Sequence, residues 1–385
     1  MNDEAASRIT VNGTIRGRSG TSGSERLMEY GGGVEGAVAV PGVGGTLTGR
    51  VQGVYIDSGR ADVNDTFSLR RYGTNAVGIS DAAGNQLVAP LTTGTLPRER
   101  YRPRDTSASG VALGVAYQRD WLAVDIGSTP LGFRESNVLG GIELTPSLGE
   151  GWRLRLRGER RAVTDSILSW AGVRDPLTGQ TWGGVTRTGA YGQVEYGNQT
   201  FGAYAGGGYS IFRGRNVEDN SRFELAAGVS QAIFRRPTEE LVTGLDLLYL
   251  SYDKNLRLFS FGHGGYFSPQ QYFAAAVPLD YRARFGNVAL RLGGSAGVSY
   301  FQEDRSPYYP TNRALQQEAE RQTSADPTVQ SFYQSQQRTN FAYGVRGDIE
   351  YAVTPSIRIG ALARFDKVAD FNEGRGMIYA RFRLD

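Results

Sequence analysis

Residues 152–159 read Trp-Arg-Leu-Arg-Leu-Arg-Gly-Glu, so apolar and charged side chains alternate along this segment. Successive side chains of an extended strand point to opposite faces, and a period of two sorts the two kinds of residue onto two faces. One face carries tryptophan and leucine, and the other carries arginine and glutamate. The pattern predicts a β-strand that has an apolar environment on one side and water on the other.

The same alternation recurs at residues 341–351, 357–365 and 378–384. Strands of soluble sandwiches mostly have about five or six residues, whereas a tilted strand that crosses a membrane needs about nine to eleven. Many alternating segments of this chain are of the longer kind. There are about sixteen of them, an even number: residues 7–17, 26–40, 45–57, 107–118, 121–128, 137–145, 151–161, 184–196, 199–212, 221–234, 241–253, 271–282, 286–300, 338–353, 356–366 and 376–385.

The predicted connections fall into two length classes. If both termini are periplasmic, the links on the periplasmic side are short and contain the Pro, Gly, Asn and Asp that tight turns favour: residues 41–45, 119–120, 146–150, 197–198, 235–240, 284–285 and 354–355. The links on the other side are mostly longer and include residues 58–106, 162–183, 254–270 and 301–337, the last with a short predicted helix at 311–322 capped by Thr311 or Asn312. Short periplasmic turns and long extracellular loops are typical of outer-membrane barrels. We therefore predict an all-β fold, a single transmembrane antiparallel β-barrel over residues 1–385 in the bacterial outer membrane.

Composition limits the alternatives. The 385 residues include 42 Lys plus Arg against 39 Asp plus Glu, a net charge of +3, whereas a nucleic-acid-binding protein is expected to have a dominant basic patch. The chain has no cysteine, which excludes a disulfide scaffold and thiolate-bound zinc. No segment approaches the roughly 18 consecutive apolar residues of a membrane helix, so the chain is either soluble or a membrane-spanning barrel.

A barrel of sixteen strands is too wide for side chains to fill and leaves an aqueous channel. The charged face of each strand should line this channel, and Trp152, Tyr343, Tyr351, Phe365 and Phe382 on the opposite face suit lipid and its aromatic girdles. The strand at residues 241–253 has apolar residues on both faces, and we expect Asp246 to point inward. The predicted lumen residues are Arg50, Glu143, Arg153, Arg155, Arg157, Glu159, Arg187, Tyr191, Glu195, Tyr204, Arg222, Glu224, Arg291, Arg346, Asp348, Glu350, Arg358, Arg364, Tyr379, Arg381 and Arg383.

Nearly all of the basic residues are arginines, and two roles remain open for those of the lumen. The planar guanidinium has several donors that suit hydroxyls and carboxylates fixed in place, which would serve recognition of a cargo. Alternatively, arginine and glutamate form ladders that only hold the wall together.

The motifs of enzymes are weak in this chain. Residues 293–297 match G-x-S-x-G and residues 31–36 match G-x-G-x-x-G, but both lie within predicted strands and lack the helix that must follow. His263 is the only histidine, so a metal site of several histidines is excluded, and a structural role is favoured over a catalytic one. We expect no enzymatic activity, no cofactor and no metal site.

Several long loop segments resemble a known family. Residues 165–176 (DSILSWAGVRDP), 178–185 (TGQTWGGV), 263–272 (HGGYFSPQQY) and 128–133 (STPLGF) are similar to the C-terminal region of cellulose-synthase operon protein C. In that family, a periplasmic tetratricopeptide solenoid precedes an outer-membrane barrel that exports cellulose. The resemblance implies export of a β-1,4-glucan, with periplasmic and inner-membrane synthase components and outer-membrane lipid as partners. It covers only the barrel, since no 34-residue helical repeat is found here, and the solenoid is expected upstream.

Export of a neutral glucan makes demands on the channel wall. Hydrogen-bonding side chains and a few aromatic platforms suit sugar hydroxyls and C–H faces, and binding must be shallow because a channel that holds its cargo tightly cannot release it. Transport would be passive, driven by chain elongation at the synthase. The candidate path residues are Trp170, Trp182, Tyr266, Phe267, Tyr272, Tyr204, Tyr379, Arg153, Arg155, Arg157, Glu143, Glu159, Arg346, Asp348, Glu350 and Arg381.

Two further questions stay open at this stage. The loops at 162–183 and 254–270 either fold toward the pore and narrow its outer mouth, or their aromatic residues only pack loop against loop. The alternative function is a general or anion-preferring porin, which the lumen arginines allow. A porin would pass small solutes freely, whereas a gated exporter would conduct poorly at rest.

Overall fold

The computed structural model describes residues 7–80, 86–91, 97–325, 329–368 and 371–384. Within them, sixteen long antiparallel strands form one sheet in which each strand pairs with its sequence neighbours. The prediction of an all-β barrel with sixteen strands is confirmed. In chain order, the strands are β1 (Arg8–Arg18), β2 (Leu27–Ala39), β3 (Thr46–Asp57), β4 (Ser107–Arg119), β5 (Leu122–Ser128), β6 (Val138–Leu144), β7 (Trp152–Ala162), β8 (Thr181–Gly197), β9 (Phe201–Arg215), β10 (Asn220–Arg235), β11 (Glu239–Tyr252), β12 (Gln271–Phe285), β13 (Val288–Glu303), β14 (Gln336–Ala352), β15 (Ile357–Val368) and β16 (Phe371–Arg383).

The first and last strands close the barrel. β1 and β16 are antiparallel, with Arg8 opposite Arg383 at one end and Arg18 opposite Glu373 at the other. A closed sheet leaves no row of unpaired backbone groups, and such groups are costly in a bilayer because it offers them no water.

The two faces of the wall differ as the alternation predicts. Ile126, Val138 and Ile378 point outward and are 63%, 67% and 67% exposed. The aromatic residues predicted for the lipid face are also exposed, and Trp152 packs against Tyr196 with ring centroids 5.0 Å apart. Apolar residues that remain exposed in this regular pattern form the belt that contacts lipid. The protein is an outer-membrane barrel.

Several strand boundaries differ from the prediction by a few residues, and three of them change a turn or loop. The turn between β12 and β13 is Gly286–Asn287 rather than 284–285, because Phe285 pairs with Val288 and Gly286 adopts a φ of 57° that glycine tolerates. β8 begins at Thr181, inside the predicted loop 162–183. β16 begins at Phe371 rather than 376, so most of the predicted link before it is strand.

The extracellular loops fold into the mouth of the barrel and fill it. They carry three short helices, α1 (Thr66–Arg70), α2 (Ile167–Ala171) and α3 (Arg313–Ala325), of which α3 is the predicted helix and is capped by Asn312. None of the helices in the described ranges is long and apolar enough to span a membrane. Loop residues 66–80, 129–137, 163–180, 253–270, 304–325 and 329–335 are called the plug below. They form one apolar core with inward-facing wall residues such as Ile56 and Phe212.

Candidate functional site

The periplasmic half of the interior is open. A cavity of about 920 Å³, called the vestibule, lies between β1 and β2 on one side and the turn from β10 to β11 on the other. This volume is within the range of about 300–1,000 Å³ that is usual for ligand sites. Its walls include Arg8, Glu35, Arg291, Asp348, Glu350 and Tyr379.

Asp280 is the centre of a charge cluster beside the vestibule. Its carboxylate lies 2.8 Å from Arg282, 2.7 Å from Arg291 and 3.0 Å from Arg346. Arg346 also lies 3.9 Å from Asp348. Each of the three arginines is thus held by a carboxylate, but three guanidinium groups share the two carboxylates Asp280 and Asp348, so the cluster keeps a small excess of positive charge.

Glu350 holds a second cluster on the neighbouring strands. It lies 3.2 Å from Arg358 and 3.5 Å from Arg381, and the hydroxyl of Tyr379 donates a hydrogen bond to it at 2.6 Å. Three strands are therefore joined through one carboxylate. Side chains held in this way leave part of their donor capacity for a ligand in the lumen.

The arginines of β7 form a ladder across three strands. Arg155 joins Glu143 of β6 at 2.6 Å and Glu195 of β8 at 2.8 Å. Arg153 stands opposite Glu195 in the register, while Arg157 lies 4.0 Å from Glu159. The predicted site residues of β6 and β7 are thus on one inward-facing surface, as the alternation predicts.

Two lumen tyrosines lie flat on the wall because a glycine faces each of them. Tyr379 is opposite Gly360, where an added Cβ would stand 2.3 Å from the ring. Tyr204 is opposite Gly228 in the same way, with a distance of 2.6 Å, and its hydroxyl donates to Asp246 at 2.9 Å. Asp246 therefore points inward, as predicted. Each ring is pressed against the backbone on one side and is anchored at its hydroxyl.

The loop aromatics of the predicted site are packed inside the plug or against it. Trp170, Trp182, Tyr266 and Tyr272 are 8%, 0%, 2% and 5% exposed. Trp182 contacts Tyr72 and Phe261 at centroid distances of 5.5 and 5.4 Å, and Phe267 contacts Tyr272 at 5.8 Å. The two loops do fold toward the pore, and in this closed conformation their rings contact one another.

One plug loop crosses the whole pore. Residues 163–180 connect β7 to β8, on the far side of a sixteen-stranded barrel from β1, yet Asp165 lies 3.4 Å from Arg18 of β1. Arg16 of the same strand donates to the hydroxyl of Thr164 at 3.2 Å. These four residues are called the latch below. The backbone N–H of Phe267 also donates to Asp165 at 3.0 Å, so the latch holds a second plug loop as well.

His263 is buried in the plug. Its Nε2 lies 2.9 Å from the carbonyl oxygen of Pro307, and since a carbonyl has no hydrogen to give, Nε2 carries the proton. Its ring meets Tyr333 edge to face at 5.4 Å. Burial disfavours the imidazolium and lowers the pKa of His263 to about 4. The residue fits the structural role that the sequence favours.

Sequence reasoning missed several inward-facing residues of this site. Arg16 and Arg18 lie on β1, whose even-numbered positions are all polar, and Asp280 lies on the same face of β12 as Arg282. The alternation that found the other lumen residues also marks these three. By contrast, nothing in the sequence signals the pairing of Arg18 with Asp165.

Residues 30–385 match the family described as "Cellulose synthase operon protein C C-terminus". This chain belongs to that family. The family assignment covers all sixteen strands except β1 and the start of β2. It agrees with the resemblance of the loop segments quoted above.

Curated relatives carry the same family name. The chain is 40% identical over 277 residues to cellulose synthase 2 operon protein C of Komagataeibacter xylinus, covering 72% of this chain and 21% of that protein. It is 32% identical over 391 residues to a cellulose synthase operon protein C of the same species, covering 100% of this chain and 29% of that protein. A Salmonella typhimurium relative is 30% identical over 287 residues, covering 72% of this chain and 23% of that protein. The chain thus spans less than a third of the length of these relatives.

A solved structure has the same fold. The structure described as a bacterial polysaccharide outer membrane secretin superposes with a TM-score of 0.55 at 13% identity, with 100% of both chains covered. This chain and that structure therefore share a barrel architecture.

Proposed function

We propose that this barrel is a passive channel through which a β-1,4-glucan chain, made by an inner-membrane synthase, leaves the cell. One observation carries the proposal: a polar vestibule lined by arginines and carboxylates opens toward the periplasm, and a loop plug closes its extracellular end. A cargo that arrives from the periplasm meets the open end first.

The chemistry of the vestibule suits a neutral sugar polymer. Asp280 and Glu350 each hold several arginines in place, so the arginine N–H groups and carboxylate oxygens offer hydrogen bonds at fixed positions along the wall. Glucan hydroxyls can donate and accept at many such places in turn. Distributed and shallow contacts allow a chain to advance, because no single contact must be broken at high cost.

Tyr379 and Tyr204 supply the apolar contacts in this proposal. Each ring lies over a glycine on the inward-facing wall, where the C–H face of a glucosyl unit can contact it. Their hydroxyls are already engaged with Glu350 and Asp246, which keeps the rings in place while a chain passes.

The plug serves as the gate in this proposal. Trp170, Trp182 and Tyr266 are buried in the closed state and would meet the glucan only after the plug loops separate. The ion pair between Arg18 and Asp165 joins the plug to the wall through two charged groups, and a partly exposed ion pair is a weak contact, so we expect opening to break it readily. A general porin has no need for such a plug.

Transport is passive and non-enzymatic in this proposal. Elongation by the synthase pushes the chain, and a tetratricopeptide region upstream of the barrel hands it across the periplasm. The partners are therefore the glucan, outer-membrane lipid and the periplasmic and inner-membrane synthase components.

The experiment measures secreted glucan in cells that make the full-length protein with Tyr379→Ala and Tyr204→Ala combined. We expect less glucan per cell at an unchanged amount of folded barrel, which is measured by heat-modifiable migration on a gel. Tyr343→Ala combined with Tyr351→Ala is the matched control, because both of these rings face lipid. Equal secretion by both double variants would contradict the stacking role, and a large resting conductance of the native channel would favour a porin.

A further inference from the structure

Two neighbouring cavities lie at the extracellular rim of the barrel, where the ends of wall strands meet the outermost plug residues. One, of about 340 Å³, is lined by Tyr55, Ser107 and Ser109 of β3 and β4 and by Asp105, Gly132 and Arg134 of the loops. The other, of about 690 Å³, is lined by Arg100, Arg104, Arg174 and the backbone turn at 175–179. Arg174 and Asp105 contact each other and separate the two spaces.

The roof of these cavities is basic. Residues 97–106 contain four arginines against Glu99 and Asp105, and Arg174 and Arg134 are added by two other loops. Asp105 is shared by Arg134 at 3.1 Å and by Arg174 at 3.3 Å. Burial opposes its ionisation, but the hydrogen bonds and charges of these arginines outweigh burial and lower the pKa of Asp105. One carboxylate thus serves two guanidinium groups.

The other carboxylates of this region are occupied. Asp175 is 1% exposed and accepts hydrogen bonds from Thr74 at 2.7 Å and from Thr178 at 2.7 Å, while Glu99 pairs with Arg102. Arg100 and Arg104 are exposed, and within the described ranges no carboxylate lies at salt-bridge distance from either. The roof therefore carries an excess of positive charge.

The floor of the site is apolar and faces lipid. Tyr55 is 44% exposed on the outward face and packs near Tyr30, with ring centroids 6.4 Å apart. Leu131 pairs with Val111 next to it, and these side chains are 48% and 43% exposed. Outward aromatic residues mark the level of lipid headgroups, so Tyr55 and the basic roof lie at headgroup height, and Val111 and Leu131, farther from the extracellular end, lie at acyl-chain height.

We propose that this surface binds a phosphorylated glycolipid of the outer leaflet, with its phosphate under Arg134 and Arg174 and its acyl chains along Val111 and Leu131. The guanidinium fork suits phosphate oxygens, and the vertical order of charge over apolar surface is that of the lipid itself. Arg174 is next to Asp175 in the chain, and Asp175 accepts a hydrogen bond from the backbone N–H of plug residue Thr74. A bound lipid would therefore also stabilise the plug.

The test is native mass spectrometry of the full-length protein in neutral detergent, titrated with a bisphosphorylated glycolipid or with the same lipid after dephosphorylation. Arg134→Ala combined with Arg174→Ala should weaken binding of the phosphorylated lipid at least about tenfold. The control is Arg313→Ala combined with Arg321→Ala, which removes the same charge from α3 on the extracellular side. Its affinity for the phosphorylated lipid should be unchanged. Arg100→Ala combined with Arg104→Ala provides a second variant with exposed side chains, in case the first pair perturbs folding.

The proposal is overturned if all variants bind the phosphorylated lipid equally, or if the two lipids bind equally well. A third experiment adds inorganic phosphate in millimolar excess to the complex of protein and phosphorylated lipid. We expect it not to displace the lipid, because it lacks the acyl chains. Full displacement of the lipid would indicate that the basic roof binds a soluble phosphate instead.

Discussion

The carboxylate of Asp165 lies 3.4 Å from the guanidinium of Arg18, although their parent strands stand on opposite sides of the barrel. Arg18 also stacks on Phe371 at 3.8 Å, which fixes its position at the seam where β16 meets β1. The pore is thus spanned by one loop that is held at both ends, at one end by chain connectivity and at the other by an ion pair.

Replacing Arg18 by alanine should open the channel more often. The substitution removes the ion pair between the wall and the plug, roughly 0.5–1 kcal/mol, which corresponds to about a two- to fivefold rise in the open fraction. The contact between Arg18 and Phe371 lies within the wall and does not favour either state. Single-channel recordings in planar bilayers measure this directly. Arg213→Ala is the control, because Arg213 forms a comparable ion pair of 3.1 Å with Asp219 that does not span the pore. Unchanged gating of the Arg18 variant would show that apolar packing alone keeps the plug closed.

Gly360→Ala should destabilise the barrel, because its Cβ would stand 2.3 Å from the ring of Tyr379. Overpacking of this kind costs about 1–3 kcal/mol, and here it would also lift the ring off the wall. Gly374→Ala is a matched control on β16, since nothing lies within 4 Å of its Cβ position. The urea concentration at which heat-modifiable migration is lost should fall for the first variant and not for the second. Equal midpoints would mean that Tyr379 moves freely.

Asp280→Asn should make an open channel more anion-selective. The change leaves Arg282, Arg291 and Arg346 without their shared carboxylate, which raises the positive potential of the vestibule. The reversal potential in a salt gradient should shift toward that of chloride when the change is made in the Arg18→Ala background. Asp219→Asn removes an exposed carboxylate outside the pore and should leave the reversal potential in place. A shift of the same size in both variants would contradict a role for the cluster.

The wall of the barrel could be predicted from sequence because a period of two over nine or more residues admits few other folds. The strand at 241–253 shows where this signal fails. Leu248 and Leu250 point inward and pack against Tyr272, Phe301 and Phe267, so the plug makes part of the lumen apolar and removes the alternation. Asp246, below the plug, keeps the polar pattern.

The plug could not be predicted to the same degree, because its contacts join residues that are distant in sequence and show no periodicity. Phe261 donates its backbone N–H to the carbonyl of Gly73 from another loop, and Leu256 packs in the same core. The segments that resemble the family lie mainly in the loops at 162–183 and 254–270. Arg18, the partner of Asp165 on β1, lies outside all of these segments. The periplasmic vestibule, by contrast, follows from the wall.

His263 should make the closed state sensitive to acid. Its pKa is lowered to about 4 in the plug, against 6.5 in water, because burial penalises the charged ring. The neutral form is favoured in the closed plug, so a plug that has opened binds the proton more readily at any pH below 6.5. The stabilisation of the closed plug by neutral His263 is fully present above pH 6.5 and is lost as the pH falls toward 4. The loss is at most about 1.4 kcal/mol per pH unit and amounts to about 2 kcal/mol at pH 5. Conductance measured from pH 7.5 to pH 5 should therefore rise in the native channel.

His263→Asn should remove most of this rise, and since the chain has one histidine, no other imidazole can replace it. The groups that face the ring are the edge of Tyr333, the carbonyl of Pro307 and the backbone of Ser260, none of which titrates in this range. If the variant kept the full acid response, the carboxylates of the wall would be its source, and the buried histidine would only fill space in the plug.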